Sequence, residues 1–224
     1  MTRTKLAERT LPDYTRHDEI ANMVTHIIGG AFGVAALSLS IVFSLLNHNY
    51  WGFAGGLIYG IMMIFLYTMS SLYHGLKPVK AKKVFQVLDH CSIYALILGT
   101  YAPILLTGIR ETNFTLFLIL SIWVLAGTAI GVTFTAIDFK KYKILSYSSY
   151  FVIGWAIIFA VKPLISAFGT EFFIWLIAGG AAYTLGMIFY CIGPKKKYFH
   201  SIFHIFVLAG SILQFVGIFK FCIL

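Results

Sequence analysis

Seven stretches of about twenty or more apolar residues, separated by short connections that are often basic, leave this chain few folds to choose from. They lie at approximately 21–46, 51–75, 87–107, 114–137, 144–162, 170–192 and 198–221. A run of this length crosses the hydrocarbon core as an α-helix, because a helix satisfies its own backbone polar groups where no water can. The expected fold is therefore all-α, a seven-transmembrane-helix bundle. Residues 1–20 form a cytoplasmic tail and residues 21–224 one integral membrane domain. With 59% of the 224 residues hydrophobic and only 11% charged, there is no room for a separate soluble domain. The tail mixes both charge signs and contains Pro12, unlike the short basic start of a secretory signal, so it is expected to be retained.

The net charge of +9 is explained by orientation better than by nucleic acid. Arg3, Lys5, Arg9 and Arg16, then Lys77, Lys80, Lys82 and Lys83, then Lys140, Lys141 and Lys143, and then Lys195, Lys196 and Lys197 all fall on one side of the alternating spans. Only Arg110, Lys162 and Lys220 fall on the other. Basic residues are held on the cytoplasmic side, which predicts the N-terminus inside and the C-terminus outside. Cys91, Cys191 and Cys222 are odd in number and suggest neither a disulfide framework nor a CxxC metal site. Gly29, Gly33, Gly52, Gly56, Gly60, Gly127 and Gly131 recur at four-residue spacings, a pattern expected to let helices approach closely. Pro103 is expected to disturb the third span.

Ionisable groups inside spans are costly and mark function. His200 and His204 stand four residues apart, on one helical face. With the orientation above, His74 at the end of the second span and Asp89 at the start of the third reach the same cytoplasmic depth. Three neutral imidazoles and an open fourth position are the arrangement of catalytic zinc, so His74, His200 and His204 are assigned as ligands. Asp89 either binds the metal directly or orients a metal-bound water and takes its proton. Ser70, one turn deeper than His74, either donates a hydrogen bond to an oxyanion or to Asp89, or is a packing contact between helices. His90 points about 100° away from Asp89 around the helix and is left out of the ligand set. Glu19, Asn22 and His26 form a polar stripe at the start of the first span, assigned to support of the site or to an access path rather than to ligation.

The segments ExxNxxTHIIGG at Glu19–Gly30, SSLYH at Ser70–His74, LDHCSIYALILGTYAP at Leu88–Pro103 and HSIFH at His200–His204 resemble the bacterial hemolysin III family. That family is related to the progestin and adiponectin receptors and the alkaline ceramidases. The resemblance implies seven helices in the bacterial plasma membrane and a zinc held by His74, His200 and His204, with Asp89 and Ser70 beside it. It also implies three functions to weigh. One is a zinc-dependent hydrolase of lipid amide or ester bonds, and another a cytolytic protein. The third is a non-enzymatic sensor or regulator of membrane homeostasis with structural zinc. Membrane lipids are the expected partners, and no nucleic acid is. A conventional pore is disfavoured because the outer halves of the spans carry mainly Ser and Thr as polar groups. Retinal-based sensing is disfavoured because Lys220 lies at the outer end of the last span.

Overall fold

The computed structural model describes residues 4–192 and 196–224, so Arg3 and Lys195 of the basic set lie outside the described residues. The fold is all-helical. In chain order the elements are α1 (Arg16–Leu46), α2 (Tyr50–Gly75), α3 (Val79–Ile104), α4 (Phe114–Asp138), α5 (Lys143–Gly154), α6 (Val161–Ile192) and α7 (Phe199–Ile218). Among the described residues, six helices are long and apolar enough to cross a membrane, counting Lys143–Ile192 as one. At a rise of 1.5 Å per residue such a run would be roughly 75 Å long, more than twice a hydrocarbon core. It is broken at Gly169, whose φ of 82° and ψ of 170° are not helical and suit a residue without Cβ.

Local chemistry sets the ends. Thr15 and Asp18 form a reciprocal capping box that starts α1 at Arg16, ahead of the apolar run. The Asn49 side chain accepts from the Gly52 amide at 2.7 Å to start α2, and Asn113 does the same for α4 with Leu116 at 3.0 Å. Just beyond Pro103, α3 widens into a π-helical turn at Leu105–Ile109, where the Arg110 amide reaches back to the Leu105 carbonyl. Between α5 and α6 the chain tightens to a 3-10 segment, Trp155–Ala160. The Tyr101 hydroxyl enters the ladder there, accepting from the Ile157 amide at 2.8 Å and donating to the Ile153 carbonyl at 2.9 Å.

The packing inverts the soluble pattern. Phe159 is 82% exposed, and Ile119, Ile122 and Trp123 of α4 also face outward, whereas Asn22, Ser70 and Ser92 are fully buried. A surface this apolar is stable in lipid and not in water. Small residues bring the helices together. A methyl group at Gly29 would collide with the Tyr67 ring, and one at Gly60 would meet Leu37 Cα at 2.8 Å, so α1 and α2 pack at close range. Gly131 likewise makes room for Tyr94 on α3.

Candidate metal centre

Three helices deliver the polar groups to one end of the bundle. The last turn of α2 carries His74, the first turns of α7 carry His200 and His204, and the start of α1 carries Glu19, Asn22 and His26. The three histidines His74, His200 and His204 are buried, and each offers a ring nitrogen within 4.8 Å of the others. Zinc–nitrogen bonds of about 2.0–2.1 Å put tetrahedral ligands roughly 3.4 Å apart, so small rotamer changes would close this group on an ion.

The hydrogen bonds support the same use. A carboxylate only accepts, so His74 donates from Nδ1 to Glu19 Oε2 at 2.6 Å and turns a bare Nε2 inward. That Nε2 is buried and has no partner among the described residues. His204 donates from Nδ1 to the Asn22 carbonyl at 3.1 Å, which leaves its Nε2 as a lone pair 3.1 Å from Nε2 of His200. Inward-facing ring nitrogens on adjacent imidazoles are the donor set a transition metal takes, with two of the outer ring nitrogens fixed by a carboxylate and a carbonyl. The group formed by His74, His200 and His204 can therefore hold a metal ion.

Around these three, Glu19 is clamped from its other side by Lys82 Nζ at 2.8 Å. The Ser201 hydroxyl donates to the Asn22 side-chain oxygen at 2.6 Å. The His26 ring stacks on His204 with centroids 3.6 Å apart and planes 11° apart, and both its nitrogens lack partners among the described residues. Asp89 and Ser70 do not belong to the close group. They line, with His26, His200 and His204, an adjoining cavity of about 180 Å³. Ser70 Oγ is buried and unpartnered. His90 is committed elsewhere. Its Nδ1 donates to the Gln86 carbonyl at 2.6 Å and its Nε2 accepts from the Tyr190 hydroxyl at 2.8 Å, so both nitrogens are engaged although the ring lines the same cavity.

Three participants escaped the sequence pattern. Lys82 read only as a topogenic charge, Ser201 as a residue between two histidines, and Tyr14 as part of a soluble tail. In the fold Tyr14 lies over the site, its ring stacked on His200 at 5.1 Å and 25°. Burial there raises the Tyr14 phenol pKa and keeps it neutral. The tail is tied down by the Arg9 guanidinium on the Ala136 and Ile137 carbonyls and by Lys83 on the Ala7 carbonyl. At the other margin, Asp18 accepts from the Tyr198 amide at 3.1 Å, which holds Tyr198 in a left-handed conformation (φ 61°) just before α7.

Fold and site together define a polytopic helical membrane protein with a buried three-histidine group at one end of its bundle. The chain belongs to the haemolysin-III related family, whose model matches residues 14–215. It is 38% identical over 211 residues to the hemolysin-3 homolog of Bacillus subtilis (strain 168), covering 94% of this chain and 97% of that protein. It is 37% identical over 208 residues to hemolysin-3 of Bacillus cereus, covering 92% and 90%. A more distant likeness, 25% over 213 residues, reaches the human monocyte to macrophage differentiation factor, covering 92% of this chain and 85% of that protein.

Proposed function

We propose that this protein is a zinc-dependent hydrolase of amide or ester bonds in membrane lipids, working at the cytoplasmic side of the bacterial plasma membrane. The break at Gly169 supports counting two crossings within Lys143–Ile192 and seven in all. Seven crossings put the basic connections, the tail and the histidines on the inner side and the C-terminus outside. The observation that carries the reading is the buried group of His74, His200 and His204, two of which, His200 and His204, line a mostly apolar cavity together with Asp89 and Ser70.

His74, His200 and His204 would hold the ion, with Glu19 and the Asn22 carbonyl keeping two of the rings in register. When bound, zinc supplies a Lewis acid for the carbonyl oxygen and lowers the pKa of a water towards about 7. Asp89 accepts the proton from the attacking water and returns it to the departing nitrogen or oxygen. Ser70, with no other partner, donates to the oxygen that gains charge as the carbonyl becomes tetrahedral. Water adds to the acyl carbon, the C–N or C–O bond breaks, and a carboxylic acid and an amine or alcohol leave.

The test is release of fatty acid from a panel of lipid amides and esters by the zinc-loaded protein. Activity is expected in the wild type and is lost in Asp89→Asn at unchanged zinc content. A zinc-loaded wild type inert across the panel overturns the hydrolase. The ion would then act as a clamp, because its ligands come from both α2 and α7.

A further inference from the structure

The cavity has a second polar pole. From His204 to Gln214, α7 advances ten residues, or roughly 15 Å at its usual rise. Gln214 lines the same cavity as His200 and His204. It is only 8% exposed, and its side-chain oxygen is buried with no hydrogen-bond partner. Its stem packs against Gly179, where a methyl group would collide with Gln214 Cγ. The hydroxyls around Ser211, one turn back on α7, and the Thr100 hydroxyl in the cavity wall have partners of their own. Tyr67 donates to Ser211 Oγ at 2.8 Å, Tyr183 shares that same hydroxyl at 2.8 Å, and Tyr59 donates to the Ser211 carbonyl. Thr100 donates to the Leu96 carbonyl in its own helix at 2.9 Å. A buried acceptor oxygen left unpaired in a cavity wall is costly to keep unless a donor that enters the cavity pairs with it.

The geometry points to Gln214 as a subsite for a hydrogen-bonding group, a hydroxyl or an amide, carried on the acyl chain far from the carbonyl that meets the histidines. This rests on the cavity being the acyl chamber of the proposed hydrolase and narrows the substrate class to lipids with a second polar group on the chain. An ordinary saturated chain would bury its apolar end against an unsatisfied amide. A chain bearing a remote hydroxyl would satisfy it.

Dodecanoic acid, whose extended length is comparable with the His204-to-Gln214 span, and its ω-hydroxy analogue form a matched pair of probes. The full-length protein in detergent is offered both acids at equal concentration, and the bound ratio is read by native mass spectrometry. The wild type is expected to favour the hydroxy acid by roughly tenfold, the worth of one buried hydrogen bond. Gln214→Met, which keeps the side-chain length without the amide, is expected to bring the ratio to parity or reverse it. Equal binding by the wild type, a preference for the plain acid, or capture of neither acid overturns the subsite. So does a preference that survives in Gln214→Met. The ratio needs no turnover, so a wild type that selects the hydroxy acid yet releases no fatty acid from any lipid would overturn the hydrolase and leave the subsite standing.

Discussion

The two ends of the bundle carry ion pairs of nearly equal length that do unequal work. At the histidine end, Glu19 sits 2.6 Å from a fully buried His74 and 2.8 Å from Lys82. At the opposite end, Glu171 meets Lys220 at 2.7 Å, with both side chains about half exposed, and Arg110 meets its neighbour Glu111 at 2.9 Å. Distance alone does not separate them. A solvated pair exchanges one set of water contacts for another and gains little. A carboxylate against a buried imidazole decides which ring nitrogen carries the proton, and so which one is left with a lone pair to offer an ion.

That contrast can be broken most forcefully at a ligand. His200→Ala should reduce bound zinc from about one ion per chain to background, read by elemental analysis of protein purified beside the wild type. Full retention of zinc would mean that the three-histidine group is not the metal centre. A smaller effect is expected at Glu19. Glu19→Gln keeps the shape but weakens the hold on His74, and chelator competition should show zinc affinity falling roughly 10–100-fold. An unchanged affinity would place Glu19 with the surface pairs. The smallest effect belongs to the far end. Lys220→Met should leave both zinc content and the thermal midpoint where they were, and a clear fall in either would show that the exposed pair matters more than its solvation allows.

Much of this arrangement was legible beforehand because membrane burial enforces simple rules. A shared depth in the spans points to His74, His200 and His204, and the fold brings their nitrogens within 4.8 Å of one another. The glycine spacings pointed to close packing, which Gly29 and Gly60 fulfil between α1 and α2. Asp89 was harder to place. Depth puts it near the histidines, but only the fold shows it lining the cavity outside their close group. Lys82 and Tyr14 were illegible, since one is a basic residue among several and the other lies in a tail without periodicity. The 3-10 segment at Trp155–Ala160 left no local signal either, because part of its ladder is completed by Tyr101 from a different helix.

The chain by itself determined that it would be a helical membrane protein with histidines at one depth, because hydrophobic length and charge asymmetry act on each segment independently of its neighbours. Only the tertiary structure decided which nitrogen of each ring turns inward, that Tyr14 lies over the site, and that the Gln214 side-chain oxygen finds no partner among the described residues. Those outcomes depend on atoms from helices distant in sequence, and a hydrogen bond is made or missed by their relative placement within about half an ångström.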